Sequence, residues 1–245
     1  QLSRVMDHGI WFDGSSIQGF VRISESDMFL RPDLDTFAII PWLSPQHRTA
    51  RIICDVFTPD GDRFIGAPRT ALANALEEAD AMGFDYLVGP EFEFFLFDSD
   101  ATGTPIPGAT HDQASYFDAT ADRSAVVRED MITALDSFGI EVEAGHHEVA
   151  AGQHEIDFRY GPALTPADAA VTFKYVLKAI AQQHGLYATF MPKPIRGVAG
   201  SGMHVHQSLA DPHTGENLFY DANDPYRLSK LARQFIAGQL WHAKG

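Results

Sequence analysis

The residue order predicts an α+β fold in two units: a β-rich opening, then helices alternating with the strands of one sheet. The opening is read from Trp11 to Phe57. There, turn chemistry at Phe12-Asp13-Gly14-Ser15-Ser16 precedes extended runs at Phe20 to Ile23, Phe37 to Trp42 and Arg51 to Phe57. The second unit is read from three helical stripes, each followed by glycine, with extended runs between them. The boundary is expected between Gly61 and Gly66, which gives units 1–62 and 63–245.

The first helix opens at Ala67-Pro68-Arg69, with proline in the first turn, where its missing N–H costs no hydrogen bond. Leu72, Leu76, Ala79 and Met82 form its apolar stripe, and Gly83 ends it. Phe84 to Val88 leads into Gly89-Pro90-Glu91-Phe92-Glu93-Phe94-Phe95-Leu96-Phe97, a Phe-rich run too short for a helix. Read as a strand, it has Glu91 and Glu93 on one face and Phe92, Phe94 and Leu96 on the other. The two acids stand about 6 to 7 Å apart along such a strand. That suits one ligand for each of two neighbouring cations, although alternation also describes a solvated sheet face. Asp98 to Ala114 is expected to be a loop with no element of its own. Asp122 to Phe138 reads as a second helix closed by Gly139, after which Ile140-Glu141-Val142-Glu143 resumes alternation, with both acids on one face. A third helix is expected with Thr165 as its cap, Pro166 in the first turn and Asp168 three residues on; Val171, Leu177 and Ile180 lie inside and Gly185 at the exit. Tyr187 to Met191 returns as a strand.

Composition narrows the chemistry. Across 245 residues, 33 Asp and Glu against 18 Lys and Arg give a net charge of -15. Such a surface opposes unaided binding to nucleic acid or anionic membrane and favours cations. The single Cys54 excludes an internal disulfide and fits a reducing compartment. With no apolar run of spanning length and no secretory leader pattern at Gln1, a cytoplasmic protein is expected. The start at Gln1 and the stop at Lys244-Gly245, directly after a helical pattern, suggest a piece of a longer chain.

Two further clusters carry chemistry. In His146-His147-Glu148-Val149-Ala150-Ala151-Gly152-Gln153-His154-Glu155, a chain reversal about Ala151-Gly152 sets Glu148 opposite Glu155. Like charges so placed destabilise unless a cation lies between them. From Gly197 to Gly202 three glycines let backbone approach a ligand closely, and His204 and His206 then share one strand face. Any one histidine is more often an ordinary hydrogen-bonded residue, and glycines also mark plain turns. Carboxylates joined by imidazole suit Mg²⁺ or Mn²⁺.

Taken together, five motifs in order resemble glutamine synthetase of the bacterial and archaeal type I class. They are Phe12-Asp13-Gly14-Ser15-Ser16-Ile17, the Gly-Pro-Glu-Phe-Glu-Phe-Phe strand, His-His-Glu followed by Gly-Gln-His-Glu, Phe-Met-Pro-Lys-Pro, and Gly-Ser-Gly-Met-His. The resemblance implies an N-terminal β-grasp domain followed by a catalytic domain with an antiparallel sheet and packed helices. It also implies a homo-oligomer, a dodecamer of two hexameric rings whose sites are shared between subunits, acting on glutamate, ATP and ammonium.

By position, the resemblance implies a first metal ion on Glu93, Glu148 and Glu155 and a second on Glu91 and His204. Glu143, Tyr160, His206, Gln207 and Ser208 match nucleotide-contacting positions. Ala199 and Gly200 match the loop that binds the amino acid, and Asp13 with Ser16 matches the ammonium site lent by a neighbouring subunit. Family members that make glutamine usually carry Asn where Ala199 stands, so a γ-glutamyl ligase for a polyamine or another amine is the alternative. An inert member kept for assembly or regulation is the rival from another class. The family's arginine-rich segments and the last glutamate ligand are expected beyond Gly245.

Overall fold

A computed structural model describes residues 2–17, 19, 27–43, 46 and 48–243. After the short helix α1 (Leu2–His8), strands β1 (Ile10–Asp13), β2 (Asp27–Pro32) and β5 (Cys54–Phe57) form an antiparallel sheet in the order β1-β2-β5. Strands β3 (Ala38–Ile39) and β4 (Ala50–Arg51) pair separately. The expected strand Phe20–Ile23 lies outside the described residues. The expected strand Phe37–Trp42 shrinks to β3. Pro41 offers no N–H to a ladder, and Trp42 packs on Phe138 and Tyr175, with ring centroids 5.7 and 5.3 Å away. The run from Arg51 to Phe57 breaks at Ile53, whose amide donates to Oγ1 of Thr36 (2.8 Å).

The second sheet is built around β6 (Asp85–Ser99), a 15-residue strand. On one edge β6 pairs with β9 (Gln153–Phe158), β10 (Gly161–Pro162) and β7 (Pro105–Thr110); on the other it pairs with β11 (Leu186–Thr189) and β12 (Met203–Ala210). β8 (Val142–His147) pairs with the outer side of β9, and every pairing is antiparallel. β7 is a correction to the expected loop at 98–114. Its two prolines and Gly108 argue against a strand in sequence, yet they are tolerated where the ladder is short and irregular.

Helices α3 (Ala125–Asp136) and α4 (Leu164–Gln183) cover one face of this sheet. Phe92, Phe94 and Leu96 meet Met131 and Leu135 of α3 and Phe173, Val176 and Leu177 of α4, all essentially without solvent contact. Burying a side chain of this size stabilises by about 1.5–3 kcal/mol relative to exposing it, so the register of β6 is fixed by its apolar face. The acids are thereby confined to the other face.

Two helices differ from expectation. Residue Ala163, not Thr165, is the N-cap of α4, and its amide donates to the Tyr86 carbonyl while Asp168 turns to Arg69. Val171 is 68% exposed, and Phe173 and Val176 take the inner face in its place. In α2 (Pro68–Ala81) the stripe stops short of Met82, which is 70% exposed. The two units are tied by Arg69, which bonds Asp33 (2.5 Å) and Asp55 in the first and Asp168 (3.0 Å) in the second. The last helix, α5 (Lys230–His242), is capped by Ser229. Among the described residues no helix is long and apolar enough to cross a membrane.

Candidate metal and nucleotide site

The open face of β6, β9 and β12 collects the acidic and imidazole groups. Glu91 faces His204 across one edge of β6 and Asp157 across the other, while Glu93 faces Glu155. His204 donates from Nδ1 to Oε2 of Glu91 (3.1 Å), and His206 from Nε2 to Oε1 (2.6 Å). Burial pushes the Glu91 carboxyl up, but the hydrogen bonds from His206 and His204 outweigh it and hold the group below its usual range. Glu93 accepts from Nε2 of Gln153 (2.5 Å), and the same amide nitrogen donates to the carbonyl of Gly200 (3.0 Å).

The hairpin between β8 and β9 turns differently from the symmetric reversal. His146, not Glu148, lies directly across from Glu155, because four residues, Val149 to Gly152, make the turn. Gly152 sits at φ 68°, and a Cβ there would come within 2.8 Å of Thr110 and 2.9 Å of the Leu96 carbonyl. Glu148 still reaches the cluster. Nδ1 of His146 lies 3.6 Å from Glu148 and Nε2 lies 3.5 Å from Glu155.

On this face, two groups of side chains have ligand atoms within 4.8 Å of one another: Glu91, Glu155 and His204, and His146, Glu148 and Glu155. All five expected metal ligands therefore converge on one face, with Glu155 common to both groups and Glu93 beside it. Burial, then Asp157, Glu148 and Glu93, push the Glu155 carboxyl up to about 8. Burial and Glu91 also raise Asp157. No Lys or Arg forms an ion pair with these acids among the described residues, and Oδ1 of Asp157 and Oγ of Ser201 are buried without a partner. An oxygen-rich set with one or two imidazoles, in surplus negative charge, fits a hard divalent cation.

Beside the acids lies a cavity of about 410 Å³. Glu143, Tyr160, His206, Gln207 and Ser208, the five positions expected to contact nucleotide, all line it, together with Gly89 and Asp157. The side chain of Gln207 is engaged on another side, accepting from Tyr86 (2.5 Å) and Gln239 (2.8 Å). Glu143 is the extra residue of a β-bulge, so it parts from Glu141, which pairs instead with Arg159 (3.0 Å). The expected sharing of one face by Glu141 and Glu143 is thus broken.

The glycine loop approaches closely, as its composition suggests. The carbonyl of Gly202 accepts from the Glu93 amide (3.3 Å), and a Cβ on Gly202 would stand 2.8 Å from Oε1 of Glu93. A Cβ on Gly200 would lie 2.2 Å from the Pro192 carbonyl; Ala199 precedes it in the same exposed loop. Asp13, the last residue of β1, and Ser16, in the 3-10 turn that follows it, belong to the first unit and not to this face. Asp13 accepts from the Ser15 amide (2.9 Å), the Ser15 hydroxyl (2.6 Å) and the Ser16 hydroxyl (3.3 Å). The hydroxyl of Ser15 foremost holds the Asp13 carboxyl below its usual range.

Residue-by-residue reading missed Asp157, Gln153 and a buried layer of Asp112, His147 and His154. The alternation Glu155-Ile156-Asp157-Phe158 was a usable signal for Asp157, since Ile156 and Phe158 are buried on the other face.

Comparison with known proteins gives concordant findings. The model for the glutamine synthetase β-grasp domain matches residues 1–59, and that for the glutamine synthetase catalytic domain matches residues 65–245. The chain is 55% identical over 246 residues to glutamine synthetase of Clostridium saccharobutylicum, and 56% identical over 250 residues to that of Thermus thermophilus. Each alignment covers 100% of this chain and 55% of the relative, so the chain spans about half the length of these relatives. Among solved structures, apo GmaS without ligand superposes with a TM-score of 0.88 at 31% identity, covering 99% of this chain and 56% of that one. The architecture is a β-grasp unit followed by a catalytic domain with an antiparallel sheet and packed helices.

Proposed function

Because this chain belongs to the glutamine synthetase family, we propose that it joins ammonia to the γ-carboxylate of glutamate at the expense of ATP, through γ-glutamyl phosphate. The observation that carries the reading is adjacency. Five expected cation ligands converge beside a cavity lined by all five expected nucleotide contacts.

In this reading Glu93, Glu148 and Glu155 hold one divalent ion, and Glu91 with His204 holds the other. Mg²⁺ or Mn²⁺ bound there supplies positive charge against the phosphoryl group in transfer between two anions. The protein's own part is placement. Glu143, Tyr160, His206, Gln207 and Ser208 border the nucleotide, and His206 also orients Glu91 through its 2.6 Å hydrogen bond. Ala199 and Gly200 border glutamate, in a loop tied to Glu93 through the Gln153 amide. Rigid positioning of this kind converts a bimolecular encounter into an oriented one.

Asp13, its carboxyl held ionised by the hydroxyl of Ser15 and that of Ser16, is suited to attract ammonium and accept its proton. Its location in the first unit, away from the acidic face of its own chain, supports a homo-oligomer in which a neighbouring subunit supplies it. A dodecamer of two hexameric rings is the proposed assembly, cytoplasmic, with domains 1–62 and 63–245.

The test is an assay of the intact protein with ATP, glutamate, Mg²⁺ and either ammonium or putrescine. Ammonium-dependent release of phosphate together with glutamine is the expected result. Release with putrescine alone would replace ammonium by a larger amine, the reading that Ala199 favours. No acceptor-dependent release, with Mn²⁺ still bound, would point to an inert member of the family.

A further inference from the structure

Four carboxylates on the open face form a square. Glu91 and Glu93 stand two residues apart on β6, and Asp157 and Glu155 stand directly across from them on β9. Facing side chains in such a pair lie about 4.5–5.5 Å apart at Cβ. None can rotate away, because Phe92, Phe94, Ile156 and Phe158 hold the opposite face in the core and fix the pleat. Glu91 is supplied with hydrogen bonds by two histidines, Glu93 by Gln153, and Glu155 lies beside His146. Among the four only Asp157 has a buried oxygen with no partner. It is also the member, with Glu91, that lines the 410 Å³ cavity.

Resting on the function proposed above, we infer that Asp157 is a positioning residue for the cation at Glu91: its carboxylate, which lines the nucleotide cavity, accepts a hydrogen bond from a water on that ion. Length argues for water in between. Asp is shorter than Glu by one carbon–carbon bond, about 1.5 Å, so from a matched register it stops short of the plane its three Glu neighbours reach. Mg²⁺ keeps several of its waters when bound to protein, and those waters need acceptors. Acceptors just outside the ligand set typically change metal affinity 10–100-fold. Asp157 thus couples the ion to the nucleotide pocket without touching the reacting atoms.

The experiment is a Mn²⁺ titration of the intact protein, wild type against Asp157→Asn and Asp157→Ala, read by electron paramagnetic resonance without nucleotide. Both variants are expected to weaken one class of bound Mn²⁺ about 10-fold or more. The Michaelis constant for the metal–nucleotide complex should rise more than kcat falls. In metal-free protein, Asp157→Asn should keep or raise the melting temperature, since it removes a like charge opposite Glu91. Wild-type Mn²⁺ affinity in both folded variants overturns the inference while leaving the proposed function intact. Absence of Mn²⁺ binding in the wild type itself overturns both.

Discussion

His147 and Asp112 meet in a fully enclosed pair: Nε2 lies 2.8 Å from Oδ1, and the side chains are 1% and 0% exposed. The other ring nitrogen donates to the Glu148 carbonyl (2.7 Å), so both nitrogens carry protons and the imidazole is charged. Burial pushes His147 down, yet the bonds to Asp112 and the Glu148 carbonyl outweigh it and raise the group. Asp112 also accepts from the Gly152 amide (3.1 Å) and from Ser124 (2.8 Å). This pair therefore clamps the turn that sets Glu148 and Glu155 beside each other.

Removing one partner leaves a buried charge without compensation. Asp112→Ala is expected to cost about 3–5 kcal/mol of folding stability, measured by denaturant unfolding of the intact protein. Because the turn carries two expected ligands, Mn²⁺ affinity should fall with it. A loss under about 1 kcal/mol would mean that the pair is dispensable.

Glu155 makes the metal-free protein sensitive to alkali. Its folded carboxyl titrates near 8 against an ordinary 4.5, so between those values the folded state keeps a proton that the unfolded chain has released. The contribution is fully present below about pH 4.5 and is lost as pH rises to about 8. A divalent cation replaces that proton, so the rise in melting temperature on adding Mn²⁺ should be larger at about pH 8.5 than at about pH 5.5. Glu155→Gln should flatten the pH dependence in EDTA and shrink the metal effect. An equal metal-induced shift at both pH values would count against this account.

Gly202 has no room for a methyl group. A Cβ would stand 2.8 Å from Oε1 of Glu93, so Gly202→Ala must shift that expected ligand, while Nε2 of His204 lies in ordinary contact at 3.4 Å. Mn²⁺ affinity is expected to drop about 10-fold or more with the circular dichroism spectrum unchanged. Tight binding in that variant would show that Glu93 can move aside freely.

Arg69 spans the two units. Its guanidinium serves Asp33, Asp55 and Asp168 at once, a task that needs a planar fork, and these acids hold it more firmly protonated than usual. Arg69→Ala is expected to destabilise by about 3 kcal/mol, and Arg69→Lys to recover less than half of that, both by denaturant unfolding. Full recovery by lysine would mean that net charge alone matters at this junction.

The period-two run from Glu91 to Leu96 was legible from residue order because alternation is a property of immediate neighbours: aromatic side chains bury, so the acids between them must share the other face. The convergence of His204 on Glu91 was expected from motif resemblance and is reached through pairing of strands 113 residues apart. Other features depended on distant partners. The Pro41 break, the Ala163 cap that displaced Thr165, and the outward Val171 follow from where neighbouring elements pack. The hairpin register, with His146 and not Glu148 facing Glu155, was set by a four-residue turn pinned to Asp112. Asp112 looked like one more polar residue of a loop, and its histidine lies 35 positions away. Short-range patterns record which side of an element avoids water. Which charge meets which across the fold is decided only when the sheet closes, water leaves, and each unpaired group must find a partner.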